Sequence, residues 1–264
     1  MSDAPVSFDR PTLSVIIPCL NDAVLLERCL ESLNSQQVPP DEIIVVDNGS
    51  TDDSAEVARR AGARVVTEPR RGITWATQAG FDAADGDILL RTDADVVAPP
   101  DYIARLHRAW AAAGAAPGRR VVGVTGSARF EIPGVWGDVA SSLYLGAYRA
   151  SVGSALGHNP LFGTNYSIRA DWWAEVRDDV DFSDTYVHED MHLSFAVRED
   201  ETVWFQPDLV LDMDDRALHG ARQVAVRFRR GMHTMLSNWR KHPPHRRLAG
   251  RGLLGARLHE VLAP

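Results

Sequence analysis

Cysteine is scarce: Cys19 and Cys29 are the only two in 264 residues. A chain this long does not build a disulfide framework from one pair, so a reducing, cytoplasmic setting is expected. Long apolar runs are missing too. No stretch approaches the roughly 18 apolar residues that a bilayer span needs. The first dozen residues, Met1 to Thr12, are polar and hold no apolar core of leader length, so no signal peptide is expected. Glycine-rich phosphate loops are also absent. Neither Gly-x-Gly-x-x-Gly nor Gly-Lys-Ser follows the first apolar run, which argues against a dinucleotide fold or a P-loop. No internal repeat appears.

What is present describes an ordinary globular chain, 45% apolar and 24% charged. Its length suits one large α/β domain or two small ones. The net charge of −8 is unevenly spread. From Arg216 onward, eleven Lys and Arg stand against the single acid Glu260, a balance of +10 that leaves −18 for the rest. Such an acidic body is a poor general binder of nucleic acid, and none is expected as a partner. The basic end suits phosphates or an anionic membrane face.

Apolar runs at 13–18, 42–47, 65–66 and 88–90 read as buried strands. Helical spacing appears between them: Leu25, Leu26, Cys29, Leu30 and Leu33 after Asn21 and Asp22, which offer caps, then 51–62, then 74–84. That alternation predicts a parallel sheet covered by helices on both faces. Ligands in such sheets sit beyond the carboxyl ends of the strands. Polar groups cluster at those ends: Pro18 with Asn21, Asp47 with Gly49, Arg71 with Gly72, and Asp93 with Asp95. Side chains repeat every second residue on extended chain, so Asp93 and Asp95 can point the same way. A divalent cation would relieve their repulsion; a polar strand cap is the alternative.

The alternation then fades, which suggests an elaborated second lobe. Expected there are a helix over 102–113, a strand over 121–125, a helix within 132–155 and a strand over 161–169. Asp171 would cap a helix opening on Trp172. A helix over 191–198 would follow His188-Glu189-Asp190, and a last strand would cover 202–205. Val224, Phe228, Met232, Met235 and Leu236 fall at helical spacing among arginines. That basic amphipathic helix either packs on the acidic body or lies on a membrane surface.

Three stretches carry a resemblance. They are Val15-Ile-Ile-Pro-Cys-Leu-Asn21 with Ile43-Ile-Val-Val-Asp-Asn-Gly-Ser-Thr-Asp52, Gly86-Asp-Ile-Leu-Leu-Arg-Thr-Asp-Ala-Asp95, and Gly163-Thr-Asn165 with Val187-His-Glu-Asp190. In this order they resemble family 2 glycosyltransferases, which move sugars from nucleotide donors with inversion. The resemblance implies a GT-A fold, Rossmann-like, with a mostly parallel sheet, helices on both faces and a C-terminal helical extension. It implies a catalytic domain over 12–215, with a nucleotide half to 97 and an acceptor-side half after it. Residues 216–264 are then a basic helical extension.

The resemblance also assigns roles. Pro18, Leu20, Asn21, Asp47, Gly49, Arg71, Asp93 and Ala94 would contact a UDP- or GDP-sugar. Asp95 and His219 would hold Mn²⁺ or Mg²⁺. Asp190 would be the catalytic base, with Gly163, Asn165, His188 and Glu189 on the acceptor side. Asp47 and the Glu189-Asp190 pair also suit plain helix capping. A lipid-linked acceptor and membrane contact through the basic end remain open. Two departures stand out. Thr77-Gln78 occupies the place of an Arg-Asn pair common in relatives, and no Gln-x-x-Arg-Trp follows Gln223, which argues against a polymer synthase. The competing readings are a sugar-1-phosphate nucleotidyltransferase, which would need a basic glycine-rich first loop, and a non-catalytic nucleotide-sugar-binding module.

Overall fold

A computed structural model describes residues 10–132, 135–214, 216 and 221–253. Its first half alternates as expected: β1 (Leu13–Cys19), α1 (Ala23–Asn34), β2 (Glu42–Asp47), α2 (Ser54–Arg60), β3 (Arg64–Thr67), α3 (Ile73–Ala83) and β4 (Ile88–Thr92). β1 pairs in parallel with β2 and β4, and β2 with β3. Side chains alternate between two layers. Val15 and Ile17 enter the core under α1 with Leu26 and Leu30, while Ile16, Ile44 and Val46 enter the core under α3 with Ala76 and Phe81. A strand buried on both faces must be apolar throughout, and β1 and β2 nearly are.

The rest of the described chain adds β5 (Val96–Val97), α4 (Tyr102–Ala115), β6 (Arg120–Phe130), α5 (Val135–Leu156), β7 (Asn165–Arg169), α6 (Ala170–Val176), α7 (Glu189–Ser194), β8 (Glu201–Met213), α8 (Ala221–Lys241) and α9 (Pro244–Gly250). The described strands form one sheet in the order β3-β2-β1-β4-β7-β6-β8-β5. β7 runs antiparallel to both β4 and β6, so the parallel half ends at β4 and the sheet is mixed. Thr92 lies opposite Asn165, which seats the 163–165 loop beside the end of β4.

Three expectations need correction. Asp171 does not cap α6; the helix starts at Ala170, two residues before Trp172, and Asp171 sits in its first turn against Arg169 Nε at 3.0 Å. Glu189 and Asp190 do not precede the helix but form its first turn, with His188 at the cap position. The last strand continues to Met213 rather than ending at Phe205. An irregularity in the pairing carries the strand past Gln206-Pro207-Asp208: Thr125 faces Phe205, and the next pair is Ser127 with Val210. Beyond it Leu209, Leu211 and Met213 are buried alternately, at strand period.

Candidate active site

The ends of β1 and β2 are tied into one surface. Asn21 takes a left-handed conformation, φ 55°, and its Oδ1 accepts the Thr51 N–H at 2.7 Å. Asp47 Oδ1 accepts the Ser50 N–H at 2.9 Å, closing an Asx turn through Gly49, whose φ of 82° favours glycine. Arg71 is brought over that turn, with its Nε 3.9 Å from where a Cβ on Gly49 would stand. Asn48 fixes the loop bearing Arg71: its amide donates to Glu68 O and Arg70 O and accepts from Gly72 N. Leu20 stays 41% exposed beside Pro18, leaving an apolar ledge at the strand end.

Arg91 is the centre of the second cluster. It is a charged residue inside an otherwise apolar strand, 2% exposed. Its Nη1 bonds Asp93 Oδ1 at 2.6 Å and also the Gly163 carbonyl, while its Nε lies 2.9 Å from Glu189 Oε1. That last contact is an ion pair without hydrogen-bond alignment. Burial opposes the Arg91 charge, and Asp93 and Glu189 more than offset it. Burial pushes the Glu189 carboxyl up to about 7 against the pull of Arg91.

Asp190 sits on the other side of Gly163. Its Oδ2 accepts the Gly163 N–H at 2.7 Å and the Tyr148 hydroxyl at 3.3 Å, and its Oδ1 accepts the Met191 N–H at 2.8 Å. A side chain at 163 would put its Cβ 3.1 Å from Asp190 Oδ2, so the carboxylate would have to give by a few tenths of an ångström. Thr164 Oγ1 donates to Asp93 Oδ2 at 2.8 Å. Asp93, Arg91, Gly163, Glu189 and Asp190 are thus one connected network.

Asp95 faces elsewhere, toward a cation of the chain itself. Arg216 Nε reaches Asp95 Oδ2 at 2.9 Å, and its Nη1 and Nη2 reach the two Asp22 oxygens at 2.8 and 2.6 Å. Burial and then Asp93 raise the Asp95 carboxyl to about 6, against Arg216. Two carboxylates converging on one cation make a donor set of hard oxygens, which fits a divalent ion with open positions. Among the described residues no group of three or more His, Cys, Asp or Glu is gathered for a metal. His219 lies outside the described residues.

Residues 14–137 match the profile of glycosyl transferase family 2. The match covers just under half of the chain and supports a glycosyltransferase of family 2. It ends before the Gly163 loop and the Glu189-Asp190 pair, so it covers β1 to β4 and the Asp-x-Asp. Over 83 residues the chain is 43% identical to an uncharacterized glycosyltransferase of Mycobacterium tuberculosis, covering 31% of this chain and 36% of the relative. It is 31% identical over 166 residues to an undecaprenyl-phosphate 4-deoxy-4-formamido-L-arabinose transferase of Pseudomonas syringae, covering 59% of this chain and 46% of that protein. The aligned part is therefore under half the length of both relatives.

Two solved structures share the fold. A mannosyltransferase of Pyrobaculum calidifontis, in complex with GDP-Man and Mn²⁺, aligns with TM-score 0.61 at 21% identity, over 96% of this chain and 79% of that one. Glucosyl-3-phosphoglycerate synthase of M. tuberculosis, with Mn²⁺, UDP and glucosyl-3-phosphoglycerate, aligns with TM-score 0.55 at 22% identity, over 86% and 80%. The fold is GT-A.

The structure sorts the expected site residues. Pro18, Leu20, Asn21, Asp47, Gly49 and Arg71 come together, as do Asp93, Gly163, Glu189 and Asp190. Ala94 turns its side chain into the core, leaving only its backbone for a ligand. Asn165 is spent inside the protein: its amide donates to Ser127 O and Leu209 O and accepts the Tyr102 hydroxyl at 2.6 Å. His188 leans on α8, with its N–H on Thr234 Oγ1 and its Nε2 3.0 Å from Arg227 O. Missed were Arg91, Asp22 and Arg216. A basic residue in an apolar strand was the available signal for Arg91; Asp22 read only as a helix cap.

Proposed function

We propose that this protein is an inverting glycosyltransferase that moves a sugar from a nucleoside-diphosphate donor to an acceptor hydroxyl, with Asp190 as the general base. The observation that carries this is the buried Arg91 guanidinium, which joins Asp93 of the Asp-x-Asp to Glu189, the neighbour of Asp190. One buried cation thus lies between the Asp-x-Asp and the first turn of α7, where Asp190 follows Glu189.

In this reading Leu20 and Pro18 flank the base of the nucleotide, and Asp47 accepts its N–H donors. Asp93 lies at the ribose. Asp95, with Asp22 beside it, holds Mn²⁺ or Mg²⁺, and His219 is a further candidate ligand. When bound, the metal neutralises the departing diphosphate. Gly163 and Tyr148 fix the Asp190 carboxylate so that it can take the acceptor proton as the hydroxyl attacks the anomeric carbon. A single carboxylate suffices for inversion, and no second nucleophilic one is needed. UDP and GDP both remain candidates; the two solved relatives hold one each.

A lipid-linked acceptor is supported by α8. This helix packs on α7, which bears Asp190, yet Phe228 is 70% exposed and Leu236 51%. With Arg227 and Arg229 also exposed, the face suits an anionic membrane surface. Among the described residues no helix is long and apolar enough to cross a membrane. The undecaprenyl-phosphate relative has an acceptor of that class by its name. The test of the main reading is a thermal-shift screen of nucleotide sugars with and without Mn²⁺. A metal-dependent rise for one donor supports it, and no rise for any UDP- or GDP-sugar refutes it.

A further inference from the structure

The Asp95 carboxylate is not waiting empty; it shares a cation with Asp22. We infer that Arg216 is a resident counter-cation of the donor site, which metal and nucleotide must displace together. The inference rests on the donor reading above.

The geometry is held from the sheet. β5 pairs with β8, Val96 opposite Met213, and the Asp214 N–H donates to Asp95 O at 3.2 Å. The chain leaving β8 therefore passes over the Asp-x-Asp, and Arg216 is delivered to it. Asp22 stands at the N-cap position of α1 but makes no side-chain capping bond. Its carboxylate turns instead to Arg216, 194 residues away, through both oxygens. Arg216 thus holds Asp95 Oδ2 and both Asp22 oxygens, three of the four carboxylate oxygens that this pair offers a metal.

A bare divalent ion entering here would have to break charge-assisted bonds and leave a guanidinium unpaired beside it. An ion arriving with a diphosphate brings the anionic oxygens that the freed guanidinium can take as new partners. A planar fork of donors suits phosphate as well as carboxylate. Metal and nucleotide should therefore bind cooperatively, and each should strengthen the other by the same factor.

Mn²⁺ titrations of the full chain, read by electron paramagnetic resonance at pH 8 with and without UDP or GDP, test this. Arg216→Ala should bind Mn²⁺ alone about tenfold more tightly than wild type, the scale of one charge-assisted hydrogen bond. The enhancement by nucleotide should shrink by a similar factor. Arg216→Lys, which keeps the charge but not the fork, should fall between and guards against an alanine variant that fails to fold. Asp95→Asn should lose the Mn²⁺ signal, which ties it to this site. If Arg216→Ala binds Mn²⁺ no more tightly and keeps the full nucleotide enhancement, the counter-cation role is wrong while the donor reading stands. If wild type shows no nucleotide-dependent Mn²⁺ binding, the donor reading fails and this inference with it.

Discussion

Arg91 and Glu189 form an ion pair at 2.9 Å between β4 and α7, with side chains 2% and 5% exposed. It ties the strand that leads to the Asp-x-Asp to the helix that carries Asp190. Removing one member strands the other charge in the core. Arg91→Ala should lower unfolding free energy by about 3–5 kcal/mol, the usual cost of breaking a buried pair from one side. Urea unfolding measures it; a loss under about 1 kcal/mol would mean that the pair contributes little to the fold.

His158 lowers stability as pH falls, against the raised carboxyls of Glu189 and Asp95, which increase it. His158 is buried beside Arg247, and burial first and then that guanidinium depress its pKa to about 3. Its Nδ1 lies 2.8 Å from Asn159 O and its Nε2 2.9 Å from Arg247 Nη2, a pattern that fits a neutral ring. The unfolded chain takes up this proton near pH 6.5 and the folded one does not, so this group's contribution to stability falls as pH drops below that value. Between pH 7 and pH 5 it should remove about 2 kcal/mol. His158→Gln should raise the urea midpoint at pH 5 relative to pH 7, compared with wild type; an unchanged difference between the two pH values would refute the assignment.

Much of the nucleotide half was legible because its physics is local. Strands buried on both faces are apolar throughout, and their turns carry Asp47-Asn48-Gly49 or Asp93-Ala94-Asp95. The rest depended on distant partners. Asn165 was assigned to the acceptor side by the resemblance alone; its partners Tyr102, Ser127 and Leu209 lie 38–63 residues away. Arg91 read as a strand residue without a role because Glu189 was needed to explain its charge. Asp22 looked like a plain cap because Arg216 stands at the other end of the chain.

The α8 face yields a separate prediction. Phe228→Ser with Leu236→Ser should leave the melting temperature within about 2 °C, since neither side chain is buried and surface changes rarely exceed about 0.5 kcal/mol. The same pair should sharply reduce binding to vesicles containing anionic lipid. Equal vesicle binding by both forms would remove the membrane contact.

Asp47→Ala should weaken nucleoside-diphosphate binding by roughly 1.5–3 kcal/mol, the range for a hydrogen bond to a charged group. The turn also loses its Ser50 bond, so calorimetric affinity is compared at matched melting temperature. Unchanged affinity would sink the proposed contact.

The central claim is tested most directly by Asp190→Asn, assayed with the donor that the thermal-shift screen identifies. Both carboxylate oxygens accept backbone N–H groups, from Gly163 and Met191, so an amide must turn its NH₂ toward one of them. A stability loss of about 1–3 kcal/mol is therefore expected beside the kinetic effect. Transfer should fall about 10²–10⁴-fold, the range for a lost general base. Donor affinity in the folded variant should hardly change, and the wild-type product should have inverted anomeric configuration by NMR. A folded Asp190→Asn variant with undiminished transfer would contradict the account.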